Sequence, residues 1–148
     1  MRDYTKIDAW RLADDLTVAI YERSQNFPRE ELYSLTNQLR RAAYSVPANI
    51  AEGASRESQR DYLHFLYIAR GSLSEAQYFL HLSRRLGYLA DADAARLTEQ
   101  SREVFACLHG LIKAVEKNAG KLARVAAAVT SLFVICAIKF SNPSLPQS

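Results

Sequence analysis

Between Ile7 and Asn118 the apolar residues fall three and four positions apart, turn after turn, with very few residues able to interrupt a helix. The whole chain holds five Gly and four Pro, and Pro143 and Pro146 lie among its last six residues. No stretch shows the alternation of a half-buried strand, so the chain must fold as packed helices. A first helix is expected from Ile7 to about Gln25, with Trp10, Ala13, Leu16 and Ile20 on one side. Asn26, Phe27 and Pro28 end it, because proline lacks an amide donor and biases the residue before it away from helix. A second is expected from about Glu30 to Glu52, with Leu32, Leu35, Leu39, Ala42, Ala43, Val46 and Ile50 inward. Pro47 lies within it and removes the bond to Ala43, giving either a kinked helix or two separate ones. Gly53 reads as its stop.

Ser58 with Asp61 three residues later resembles a capping box and starts a third helix, which runs to Leu86. Gly87 can close it in the left-handed conformation, and Gly71 inside it predicts a close approach of a neighbouring helix. Asp91 or Asp93 caps the fourth, whose buried stripe is Leu97, Val104, Leu108, Leu111 and Val115, up to about Asn118. The predicted fold is all-α, an antiparallel up-and-down four-helix bundle over residues 1–120. Residues 121–148 form an extension: Val125 to Ile138 carry no charge, and the last residues, SNPSLPQS, read as disordered. Fourteen residues are short against the roughly 20 needed to cross a bilayer, so a buried or subunit-contacting helix is favoured over a membrane-associated tail.

Charge excludes little. Nineteen Lys and Arg against sixteen Asp and Glu give +3, too weak by itself to argue for nucleic acid. Cys107 and Cys136 lack His or Cys partners at metal spacing and read as buried thiols in a reducing compartment. No secretory signal is evident at the N-terminus, which points to the cytoplasm.

The stretch LTNQLRRAAYSVPANIAEG from Leu35 to Gly53 resembles the signature of the bacterial four-helix-bundle proteins encoded in intervening sequences of 23S rRNA genes, the ribosomal S23-like family. Ser55 and Arg56, IARGSLSEAQ from Ile68, LGYL from Leu86 and LHGLIKAV from Leu108 continue the resemblance in order, over about residues 4 to 118. It implies a bundle assembled into a homo-oligomeric ring, a pentamer, with no established catalytic activity. The family is also similar to the accessory protein of diversity-generating retroelements, a basic pentameric bundle that binds a reverse transcriptase and nucleic acid. That similarity is one of fold and carries no chemistry by itself.

Two constellations stand out. On a helical projection Gln38, Arg41, Ser45, Asn49 and Glu52 share one stripe of the second helix, which Glu75 and Ser72 on the third can meet. An interhelical polar network that fixes register is the favoured reading, and a ligand or RNA pocket the other. The outer face of the third helix carries Arg60, His64, Tyr67, Arg70, Ser74, Gln77, Tyr78, His81, Arg84 and Arg85, with no acid among them. Together with Arg56, its arginines can neutralise phosphates while Tyr67 and Tyr78 offer stacking surfaces, a combination suited to single-stranded or looped RNA. The competing readings are a solvated face, or a subunit interface in which these arginines pair with Asp14, Asp15 or Glu99.

The opposite face of the third helix, Tyr62, Phe65, Leu66, Ile68, Ala69, Leu73, Ala76, Phe79 and Leu80, is broader than one seam needs and predicts self-association. His64, His81 and His109 have no partner at metal spacing, and Ser45 and Ser72 have no base at hand, so no catalytic residue, metal site or cofactor is expected. No small-molecule substrate is evident either. The expected function is a non-enzymatic homo-oligomeric bundle that binds RNA or a nucleic-acid-processing protein. The alternative is a protein-binding scaffold or adaptor without nucleic-acid contact.

Overall fold

The computed structural model of the protein describes the backbone of residues 2–141 and the side chains of residues 2–120. Among the described residues four α-helices form: α1 Asp8–Arg23, α2 Leu35–Ser55, α3 Gln59–Arg85 and α4 Asp91–Ser141. Each packs on two others, α1 and α3 both lying against α2 and α4, which closes the bundle. Short joints turn α2 into α3 and α3 into α4. Arg23 at the end of α1 meets Asp93 at the start of α4 at 3.3 Å, so those two run antiparallel. Among the described residues there is no strand.

The stripes read from sequence form one core. Leu16 and Ile20, Leu39, Val46 and Ile50, Leu66, Leu73 and Leu80, and Leu97, Val104 and Leu108 are all buried in it. On α4 the inward residue is Ile112, while Leu111 is half-buried at the rim, a shift of one position from the expected stripe. Trp10 likewise is half-buried, its ring edge-on to Tyr4 at 5.0 Å.

Pro47 does not divide α2, which runs through it as one helix. The carbonyl of Ala43, which loses its intrahelical donor to the proline, accepts instead from the Thr17 hydroxyl of α1 at 3.1 Å. That hydroxyl also faces the Ala13 carbonyl at 2.8 Å, so one hydrogen is shared between the two.

Several expected boundaries move. Residues 29–31 form a 3₁₀ turn and α2 starts only at Leu35, so Leu32 is exposed and not in the core. The Glu31 carboxylate makes this start: it accepts the Leu35 amide at 3.2 Å and the Ser34 hydroxyl. A carboxylate there satisfies a free amide and opposes the positive end of the helix dipole. Gly53 is no stop, because α2 passes through it to Ser55. An added Cβ there would lie 2.9 Å from the Phe65 Cβ and 3.0 Å from Tyr62 Cδ2, so this is where two helices approach closely. Gly71, expected in that role, is exposed, and a methyl placed on it would meet nothing within 4 Å.

Other signals hold. Ser58 caps α3, its hydroxyl accepting the Asp61 amide at 3.0 Å, and Gly87 adopts φ 75° after the helix. Asp91 and Asp93, expected as caps, lie instead inside the first turn of α4, where they pair with Arg84 and Arg23. Arg2 ties the beginning of the chain to the far end of α2: its amide donates to the Ala54 carbonyl at 3.1 Å and its guanidinium to the Arg56 carbonyl at 3.0 Å. The same guanidinium lies 4.4 Å above the Tyr62 ring.

The backbone of α4 continues unbroken past Asn118 and Gly120, where a stop was expected. The side chains of the uncharged segment 125–138, Cys136 and the tail 142–148 lie outside the described residues. Among the described residues no helix is long and apolar enough to cross a membrane.

Candidate functional site

The outer face of α3 is the first candidate. Arg60, His64, Tyr67, Tyr78, His81, Arg84 and Arg85 are exposed, as is Arg56 in the joint before the helix, while Arg70 and Gln77 are half-buried. From Arg60 to Arg85 the stripe is about 38 Å long at 1.5 Å per residue. Arg70 folds back over the Tyr67 ring at 4.9 Å, a cation held on an aromatic face. Arg60 and Arg85 pair with no acid among the described residues.

Neighbouring elements bring acids to this face that a reading of α3 alone missed. The Arg84 Nε donates to Asp91 Oδ1 at 2.7 Å across the α3–α4 joint. The Tyr67 hydroxyl donates to Glu116 of α4, whose other oxygen lies 3.0 Å from Lys113 Nζ. Arg56 pairs with Glu52 and stacks at 4.9 Å on the Phe65 ring. Asp14, Asp15 and Glu99 make no ion pair with these arginines within the protomer, Glu99 pairing with Arg102 at 3.1 Å.

The Tyr67 bond, more than Lys113, holds the Glu116 carboxyl below its ordinary value, and the same bond raises the Tyr67 phenol. Glu31 is lowered likewise, first by Ser34 and then by the Leu35 amide. A carboxyl lowered in the folded state stabilises it fully above the unfolded value of 4.5, and that contribution fades as pH falls through the lower folded value. Thermal melts between about pH 3 and pH 7 should therefore show Glu116→Gln losing less stability on acidification than the parent. Parallel curves for the two proteins would show that the Tyr67–Glu116 tie carries no acid dependence.

The second candidate is the seam between α2 and α3. Asn49 Nδ2 donates to the Ser45 carbonyl at 2.7 Å and to Ser45 Oγ at 3.0 Å, and Ser45 Oγ meets Ser72 Oγ at 3.0 Å. Gln38, Arg41, Ser45, Ser72 and Glu75 surround a recess of about 330 Å³. Glu52, expected in this network, turns to Arg56. The structure thus joins Ser45, Asn49 and Ser72 directly and leaves Gln38, Arg41 and Glu75 exposed at the rim.

A family model described as 23S rRNA-intervening sequence protein matches residues 5–110, most of the bundle. The chain belongs to that family. Both stripes lie inside the matched span. Among solved structures the chain is similar to a Bacteroides thetaiotaomicron protein of unknown function from the S23 ribosomal protein family. The two are 24% identical, with a TM-score of 0.66 over 71% of this chain and 98% of the other, a likeness that shows the fold. No curated protein matches the chain.

The broad apolar face of α3 is mostly consumed within the protomer. Tyr62, Leu66, Ala69, Leu73, Ala76 and Leu80 are buried and Phe65 and Phe79 half-buried, because α3 serves two seams, with α2 and with α4. Only Ile68 of that set is exposed, so the width of the face is explained without a second copy. Cys107 is half-buried rather than buried, and burial raises its thiol above the usual range. Among the described residues no group of three His, Cys, Asp or Glu side chains is placed to hold a metal ion.

Proposed function

We propose that this protein is a non-enzymatic, self-associating bundle of the cytoplasm that binds RNA, free or in a ribonucleoprotein, through the outer face of α3. The observation that carries the reading is the exposed Arg60 and Arg85 at the two ends of one helix with the exposed rings of Tyr67 and Tyr78 between them. Arg60, Arg70 and Arg85 would take phosphates while Tyr67 and Tyr78 receive bases, as suits a single strand laid along the rod. Binding of a fluorescent single-stranded RNA should weaken steeply with salt, log K falling against log salt with a slope of about −0.7 per phosphate neutralised. Arg60→Glu combined with Arg85→Glu should reduce affinity at least about tenfold at low salt without changing the mass of the assembly. These two positions are chosen because neither has an acid partner to disturb. Unchanged affinity in the double variant would reject this face.

A different observation favours the scaffold reading. Tyr21, Leu32, Tyr33 and Tyr44 border a recess of about 350 Å³ between α1 and α2, with Arg40 lying 4.9 Å over the Tyr21 ring. Tyr33 is 85% exposed there. Exposed tyrosines of this kind anchor protein contacts, with another copy of the chain or a foreign partner, and binding through them would change little with salt.

A further inference from the structure

We infer that the recess between α2 and α3 is a binding site for a small zwitterion of the α-amino acid class. Five of its six lining residues, Gln38, Arg41, Ser45, Ser72 and Glu75, are polar, and Ala42 is the sixth. A network that served only to fix register would close on itself. This one does so only in part. Among the described residues neither Arg41 nor Glu75 has an ion-pair partner within 4.0 Å, although both border the same space. A guanidinium and a carboxylate that border one opening without pairing suit a ligand that carries an anion and a cation together.

The hydrogen bonds inside the recess leave a donor free. Asn49 donates to Ser45 Oγ, and the Ser45 and Ser72 hydroxyls share one further bond in which either can be the donor. Two hydroxyl hydrogens serve one bond between them, so one of the two is left over for an acceptor in the recess. Arg41 and the serine that keeps its hydrogen would hold the ligand's carboxylate, and Glu75 its ammonium. Gln38 offers an amide that can both donate and accept.

The lining also excludes other classes. It contains no aromatic ring, so a nucleobase would find no stacking surface. One cation against one acid gives no net charge to attract a phosphate, and the polar walls would disfavour an apolar ligand. At about 330 Å³ it stands at the small end of ligand sites. The recess faces α2, whereas Tyr67 and Arg84 of the proposed RNA face reach toward residues of α4. The two sites can therefore be tested separately.

The test is calorimetric titration of the full chain with each of the common free L-amino acids, and with the N-acetyl and carboxamide derivatives of any that binds. At least one free amino acid should bind saturably with a dissociation constant of about 1 mM or tighter. Acetylating its amine or amidating its carboxylate should each weaken binding at least about tenfold. Arg41→Gln should weaken the parent ligand but leave the affinity of its carboxamide unchanged. Glu75→Gln should do the same with respect to the N-acetyl derivative. Both replaced side chains are exposed, and unchanged melting curves would show that the variants fold. The inference is overturned if no free amino acid binds at about 10 mM, or if the derivatives bind as tightly as the parent. It is also overturned if Arg41→Gln changes the mass of the assembly, which would assign the recess to a contact between copies.

Discussion

Gly53→Ala should destabilise the protein while Gly71→Ala stabilises it, although both glycines lie within helices. At Gly53 the new methyl would meet the Phe65 Cβ at 2.9 Å, Tyr62 Cδ2 at 3.0 Å and the Tyr62 carbonyl at 3.3 Å. Two of these atoms are backbone or fixed to it and cannot swing aside, so α2 and α3 must separate. Overpacking of that kind costs about 1 to 3 kcal/mol, against about 1 kcal/mol gained by alanine as a helix former. At Gly71 the gain stands alone, about 0.5 to 1 kcal/mol, because nothing lies within 4 Å. Urea denaturation of the two variants decides it. If Gly53→Ala is as stable as the parent, the close approach at the α2–α3 joint is not a constraint.

A second large effect should come from Thr17→Val, which removes the hydrogen given to the Ala43 carbonyl opposite Pro47. An acceptor left without a donor inside the bundle costs about 1 to 3 kcal/mol. The informative measurement is a double-mutant cycle with Pro47→Ala. Alanine at 47 restores the amide that a continuous helix would supply to residue 43, so Thr17→Val in that background should cost much less. The difference between the two costs, about 1 kcal/mol or more, reports the hydroxyl's service to the orphaned carbonyl apart from any packing lost with the proline ring. Strictly additive effects would mean that Thr17 serves only Ala13 within its own helix.

These two sites also show what the sequence could and could not tell. Leu66, Leu73 and Leu80 announce their shared side by spacing alone, because helical geometry is local. The Ser58 cap and the left-handed Gly87 are local as well, and both are where the sequence places them. Gly53 takes the close approach expected of Gly71, because the clash there depends on how α3 crosses α2, which no window around either glycine contains. Thr17 is invisible as a partner of Pro47 for the same reason, the two being joined only through packing of α1 on α2.

The candidate sites divide similarly. The stripe from Gln38 to Asn49 and its meeting with Ser72 follow from periodicity on two facing helices. Glu52 leaves the stripe because Arg56, one turn on, offers a nearer partner. On α3 the cations and rings are legible, but Asp91 and Glu116 reach them from α4, so the acid-free face of the isolated helix carries acids at both ends in the folded chain.

The Arg2 tie acts over a long range of sequence. Its two hydrogen bonds and its seat on Tyr62 put the second residue of the chain against a hairpin whose nearest bonded carbonyl belongs to position 54 or 56. The tie spans 54 positions of sequence and straps the approach to α1 onto the α2–α3 hairpin.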